Sequence, residues 1–261
     1  MNEHHEVNRR QWNRRTDAHF KHHDYRVREF LDGTLTLHPL ELSEVGEVRG
    51  KSLLHLQCHF GLDTLSWARL GATVTGVDIS DRSIERANEL AMQSGLTARF
   101  IRSDIYDLPG ALKGEFDIVF ASYGALWWMS DIERWAQLVA RYVKKGGFFY
   151  LAEIHPASQM LDGEKKIIEP YFHQPQAERY TGEKDYCDQN LIIEEEYSWR
   201  WTLGEVVTAL IKAGLTIEFL HEFPFGVHKS WPTFVKEGDW WYYPDGKKDV
   251  PLTFSVKAIR L

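Results

Sequence analysis

Between Lys51 and Glu153, β-rich runs alternate with helical patterns, which predicts an α/β fold built on a parallel sheet covered by helices. Three observations carry this. The apolar run Leu53–Leu56 ends in a short turn, Gln57-Cys58-His59-Phe60-Gly61, and a helical pattern starts at Leu62. A second run, Val74 to Val77, ends on an acid, Asp78. Three more strand patterns follow before residue 154, each preceded by a turn or helix signal. A strand feeding a helix N-terminus leaves backbone N–H groups aimed into the turn, which suits an anionic group. An acid at the tip of the next parallel strand is placed to accept from ribose hydroxyls. The unit reads as a nucleotide-cofactor pocket.

In chain order, the first strand is Ser52–Gln57, its helix Leu62–Leu70 and the second strand Thr73–Asp78. Ser80 or Asp81 caps the next helix, whose apolar residues Ile84, Ala87, Leu90 and Ala91 keep helical spacing. The third strand is Ala98–Arg102, followed by Ser103-Asp104-Ile105, and the fourth is Phe116–Ala121. The helix Asp131–Val143 puts Ile132, Trp135, Leu138, Val139 and Tyr142 on one face, and Lys144–Gly147 turns it into a fifth strand, Phe148–Glu153. Right-handed crossovers send every strand's C-terminal end to one rim. Gln57 to Gly61, Asp78, Asp104 and Ala121 to Tyr123 gather there, where open α/β sheets bind ligands.

The flanks are less regular. Residues 1–50 are polar, with a helical pattern over Val7–Leu31 stopped by Gly33. Trp12, Phe20 and Tyr25 give this segment something to pack with, either as a lid over the cofactor or as a helix docked on the core. His19 and His23 stand one helical turn apart, the spacing of two metal ligands, yet no third ligand accompanies them, so a solvated polar face is preferred and no metal is expected. Residues 156–201 form a Pro- and aromatic-rich insert ending in a strand-like run, Leu191–Trp201, in which Glu194–Glu196 reads as a solvated strand end. A helix Leu203–Ala213, a strand Leu215–Phe223, an aromatic-rich loop over 224–250 and a strand Leu252–Ile259 complete the chain. Four segments result: 1–50, 51–155, 156–201 as a substrate cap, and 202–261 completing the core sheet.

Composition narrows the function classes. A net charge of −7 argues against a nucleic-acid-binding surface, although Arg9, Arg10, Arg14 and Arg15 cluster locally. Two cysteines are too few for a disulfide framework and suit a reducing cytoplasm. No apolar leader or membrane-length run is present. A cytoplasmic protein acting on a small molecule is expected, with no membrane partner.

The order of these parts resembles that of class I S-adenosylmethionine (SAM)-dependent methyltransferases, over Lys51–Glu153 and again from Leu203. The cues are the turn ending in Gly61, Asp78 in Val-Asp-Ile-Ser, Ser-Asp-Ile at 103–105, Phe-Asp-Ile-Val-Phe at 116–120 and Lys-Lys-Gly-Gly at 144–147. The resemblance implies a Rossmann-like seven-stranded sheet, mostly parallel with the last strand antiparallel, and SAM as cofactor. His55 stands where the family usually has an acid, and Gln57 and His59 where it has glycines. This places the chain near a variant subgroup with Leu-His-Leu-Gln-Cys-His-Phe-Gly, whose side chains crowd the methionine end of the cofactor. Carried over, the turn His55, Gln57, Cys58, His59 and Gly61 holds the methionine moiety. Asp78 takes the ribose hydroxyls, with Ile79 on the adenine and Ser80 beside it. Asp104 and the Ile105 N–H meet the adenine edge, and Ala121, Ser122 and Tyr123 lie beneath the sulfonium.

Methyl transfer from a sulfonium is an in-line displacement, so alignment and a dry pocket dominate, and a base is needed only for a protonated nucleophile. His155, just past the fifth strand, is the candidate base, with Tyr123 beside the reacting centre. Trp127, Trp128, Tyr171 and Trp199 are candidate walls for a flat or cationic acceptor. Two other readings use the same pocket. A nicotinamide-dependent oxidoreductase normally shows Gly-x-Gly-x-x-Gly, absent here. A non-catalytic SAM-binding protein keeps the fold without turnover.

Overall fold

The computed structural model describes residues 2–261. Its centre is a seven-stranded sheet, ordered β3-β2-β1-β4-β5-β11-β8. The strands are β1 Ser52–Leu56, β2 Thr73–Asp78, β3 Ala98–Arg102, β4 Phe116–Ser122, β5 Val143–Ile154, β8 Thr216–Phe223 and β11 Thr253–Ile259. β1 pairs in parallel with both β2 and β4, and β11 runs antiparallel between β5 and β8. The chain order reverses direction between β1 and β4, so the loops after these two strands part and open a crevice at their C-terminal ends.

The connecting helices follow the expected pattern. α4 (Leu62–Arg69) starts at Gly61, whose φ of 79° is left-handed and whose missing Cβ leaves room for the Phe100 ring. α5 (Asp81–Ser94) is capped by Ser80, which accepts from the Ser83 N–H. α7 (Ile132–Tyr142) buries the face read from sequence, including the fully buried Trp135 and Val139, against β4, β5 and α9 (Leu203–Lys212). The opposite face of the sheet buries Trp67, Phe120 and Tyr150 with α3 (Pro39–Val45).

Three expectations are corrected. The N-terminal helix is not continuous over Val7–Leu31. α1 spans Glu3–Lys21, a 3-10 turn follows at His23–Tyr25, and α2 is Val27–Leu31. Arg26 takes a left-handed φ of 54° at the break, and the Tyr25 ring stacks back on His19. In the insert, only Glu196–Ser198 (β7) of the Leu191–Trp201 run forms a strand, pairing with β6, Glu178–Tyr180. A strand needs a partner edge, and the Trp199 N–H instead reaches the Trp127 carbonyl. β5 begins at Val143, before the Gly146-Gly147 pair, because a register shift opposite Phe116–Ile118 absorbs the turn. The loop after β8 holds a small hairpin, β9 (Val235–Glu237) with β10 (Trp240–Tyr242). Among the described residues no helix is long and apolar enough to cross a membrane.

Candidate functional site

The turn after β1 keeps a glycine-type path although glycine is missing from two of its positions. Gln57 and His59 sit at φ 57° and 49°, on the same left-handed side as Gly61. A non-glycine residue there costs roughly 1–2 kcal/mol. Each side chain has an anchor that offsets this. The Gln57 amide donates to the Ala125 carbonyl (2.6 Å), and the His59 imidazole lies against Trp12 and His19 of α1. Both side chains are thus led off to neighbours, and the crowding expected from sequence is relieved.

Asp78 closes the far side of the turn. One carboxylate oxygen accepts from the His59 N–H and the other from the Ser80 N–H, each at 2.8 Å. The residue is half-buried, yet desolvation pushes its pKa up to about 6 against the pull of these N–H groups. The carboxylate stands at the C-terminal tip of β2, on the rim of the sheet where open α/β sheets bind ligands. Each oxygen keeps a lone pair for a further donor. Beyond it, Asp104 accepts from the Tyr106 N–H (2.9 Å) and from His5 Nδ1 of α1 (2.7 Å). Burial opposes the charge on Asp104, and these contacts outweigh it, holding the carboxyl below its usual range. Ile105 is buried against the core.

α1 therefore lies along this rim. It packs on α5 and β7 and contributes His5 at one end and Trp12 midway, whose ring meets both His59 (5.2 Å) and Trp128 (5.3 Å). Arg15 is 3% exposed and holds Asp185 (2.8 Å) and Glu196 (2.5 Å). Glu196 is thus a buried partner and not the solvated strand end read from sequence.

His19 is fully buried while the His23 side chain is 85% exposed, so the pair shares no ligand-forming face. His19 meets instead Asp185 (Nε2 to Oδ1, 3.0 Å), Tyr25 (Oη to Nδ1, 2.9 Å) and His59 (Nε2 to Nδ1, 3.2 Å). Asp185 and Cys187 bring further donor atoms within 4.8 Å of His19, but Arg15 already places a positive charge on that carboxylate. This cluster escaped the sequence reading because its members lie some 160 residues apart, on α1 and the insert.

Several sequence candidates are buried in the core or bonded to other partners. His55 is 3% exposed, bonds Thr64 and packs on Phe120, and burial pushes its pKa down to about 3. Cys58 is buried against Gly76. Ser80 is spent as the α5 cap, and Ala121 is fully buried in β4. His155 has both ring nitrogens committed. Nδ1 accepts from the Ala157 N–H, capping the short helix α8 (Pro156–Gln159), and Nε2 meets Glu222 (2.9 Å). It has no nitrogen free for an acceptor's proton. Tyr171 packs edge-on with the exposed Phe172.

Ser122 is half-buried at the β4 tip beside Tyr123. Tyr123, at φ 34°, is ringed by His38 (5.5 Å) and His228 (5.8 Å), and its hydroxyl faces the buried Glu41 of α3 without an aligned hydrogen bond. Trp128 stands against Trp12, Trp127 supplies the carbonyl that Trp199 bonds, and Trp199 lies edge-on to His5.

Residues 54–151 match a family model described as a methyltransferase domain. A protein of Synechocystis sp. described as an uncharacterized methyltransferase is 33% identical over 133 residues, covering 50% of this chain and 60% of that one. A ubiquinone biosynthesis O-methyltransferase of Shewanella pealeana is 28% identical over 123 residues, 46% of this chain and 52% of its own. The chain therefore spans between half and two-thirds of these relatives. Among solved structures, a SAM-dependent methyltransferase from Mesorhizobium loti superposes with a TM-score of 0.57 at 22% identity, covering 88% of this chain and 100% of that one. One from Methanosarcina mazei gives 0.57 at 19% identity, covering 87% and 99%. Residues 54–151 are thus similar to a methyltransferase domain, and the chain shares its seven-stranded fold with these solved structures.

Proposed function

We propose that the protein transfers a methyl group from SAM to a small-molecule acceptor. Asp78 carries the reading. It stands at the tip of β2, beside a turn that retains left-handed geometry at Gln57, His59 and Gly61, with free lone pairs for two hydroxyl donors. In this reading Asp78 takes the ribose hydroxyls, Ile79 packs on the adenine, and Asp104 and the Ile105 N–H meet the adenine edge. The backbone of Gln57–Gly61 holds the methionine moiety, and Ser122 and Tyr123 flank the reacting centre. When bound, SAM supplies an electrophilic methyl group on a positively charged sulfur. The protein contributes alignment and exclusion of water, through α1 and the rings of Trp12 and Trp128. The O-methyltransferase named among the relatives supports a hydroxyl acceptor.

Calorimetric titration tests the reading. SAM and S-adenosylhomocysteine should bind while NAD(H) gives no heat, and Asp78→Ala should weaken SAM by more than about tenfold, the loss of charge-assisted hydrogen bonds. Hydroxyl donors favour the ionised carboxylate, so affinity should fall as pH drops below about 6. Unchanged SAM affinity in Asp78→Ala would remove Asp78 from the site.

A further inference from the structure

One buried polar cluster beside the turn after β1 is not used by cofactor binding. Asp185 is fully buried and accepts from His19 Nε2 (3.0 Å), from Arg15 (2.8 Å) and from the N–H groups of Cys187 and Asp188. A carboxylate only accepts, so His19 Nε2 carries the proton and Nδ1 presents a lone pair. Tyr25 Oη donates to that lone pair at 2.9 Å, and Tyr186 Oη lies 2.8 Å from Tyr25 Oη. The result is an acid that orients a histidine that accepts from a hydroxyl, the arrangement by which hydroxyl groups are activated. It is assembled from three separate segments, α1, the 3-10 turn after it and the insert.

Its position ties it to the methyl-transfer site. His59, in the turn after β1, points Nε2 at the same His19 nitrogen (3.2 Å) and stacks edge-on with Trp12 and Tyr25. The residue that replaces a glycine in the turn is therefore the link between turn and cluster. Tyr186 is 64% exposed, so the chain of hydroxyls opens outward. The groups facing His19 are Asp185, Arg15, His22, His59, Tyr25 and Tyr186. Burial keeps His19 below the usual histidine range against the pull of Asp185, and keeps His59 lower still, so both rings are neutral near pH 7. Burial also raises the Tyr25 hydroxyl well above the usual tyrosine range, so it stays protonated.

We propose that Asp185, His19 and Tyr25 form a proton relay that takes the proton of a phenolic acceptor as its oxygen is methylated, a role that rests on the methyl-transfer reading above. Tyr25 is the catalytic residue that touches the acceptor hydroxyl, and His19 and Asp185 are positioning residues behind it. The acceptor's O–H bond breaks and its proton moves to Tyr25 Oη as the Tyr25 proton moves to His19 Nδ1. The freed electron pair forms the O–CH3 bond, and the pair of the broken S–CH3 bond stays on sulfur. The imidazolium that results is balanced by Asp185 and returns its proton to water past Tyr186. An oxygen acceptor is favoured because its O–H arrives protonated and gives the relay a proton to take, and Tyr25 presents a hydroxyl to it. The rings of Trp12, Tyr25, Tyr186 and His59 suit a flat acceptor.

The test uses the full chain, S-adenosylhomocysteine and 4-nitrocatechol, a phenol whose ionisation is read by its visible absorbance. With wild type, the bound probe should show phenolate absorbance at a pH about one unit below its free midpoint, a tenfold shift. Tyr25→Phe should return that midpoint to the free value with S-adenosylhomocysteine affinity unchanged, and His19→Gln and Asp185→Asn should return it as well. With SAM, methylation of the probe should fall about a hundredfold or more in Tyr25→Phe and His19→Gln. Tyr25→Phe removes one oxygen from a half-buried ring and safeguards the test if the buried variants misfold. A bound probe whose ionisation is the same in wild type and Tyr25→Phe overturns the relay. Failure of the probe to bind a complex that holds S-adenosylhomocysteine overturns the phenolic acceptor. Failure of S-adenosylhomocysteine itself to bind overturns the methyl-transfer reading and the relay with it.

Discussion

Glu41 offers a measurement of buried electrostatics beside Tyr123 that needs no substrate. It lies on α3, is fully buried, and neither carboxylate oxygen has an aligned hydrogen-bond partner. Burial, with repulsion from Asp63, pushes its pKa from an ordinary 4.5 up to about 8. The folded protein therefore keeps a proton that the unfolded chain releases once the pH exceeds 4.5. Folding stability must fall as pH rises across that window and level off above about 8. One pH unit is worth about 1.4 kcal/mol, so the span from pH 6 to the folded-state midpoint amounts to about 3 kcal/mol. Glu41→Gln keeps the shape of the neutral acid and removes the titration. In urea unfolding followed by tryptophan fluorescence, the variant's advantage over wild type should grow by about 3 kcal/mol between pH 6 and pH 9. Every other titrating group is common to both proteins and cancels in the difference. A constant offset at the two pH values would refute the burial argument, and would mean that Glu41 is ionised in the fold and partnered.

Arg15→Ala should cost about 3–5 kcal/mol in the same unfolding assay, because it strands two carboxylates that are otherwise paired in the interior; a loss below about 1 kcal/mol would show that water reaches them. His155→Ala should lower stability by about 0.5–2 kcal/mol through the lost cap of α8. It should leave SAM binding and methylation of 4-nitrocatechol unchanged, and a selective loss of turnover would restore His155 as the base.

Much of the sheet was legible because each of its elements is specified locally. The alternation of buried β runs with helical spacing located the seven strands of the central sheet to within a few residues, apart from the early start of β5. Capping chemistry did the same for α5, where Ser80 accepts from the Ser83 N–H. Asp78 and Asp104 were legible for a related reason. A side chain at a strand's C-terminal end is placed by the sheet itself, whatever its sequence neighbours.

The sequence by itself determined the order of the core strands and helices and the placing of Asp78 and Asp104 at strand ends on one rim of the sheet. Only the tertiary structure decided how the polar N-terminal segment and the insert meet over that rim. His19, Tyr25 and Asp185 carry no periodicity or spacing that relates them, since the hydrogen bonds joining them close only when α1 docks on α5 and the insert folds onto α1. The same docking gives Gln57 and His59 their anchors in a turn whose left-handed backbone favours glycine. Local sequence fixes a strand or a cap because the interacting groups are neighbours in the chain. A buried relay depends on contacts across some 160 residues, which packing alone brings together.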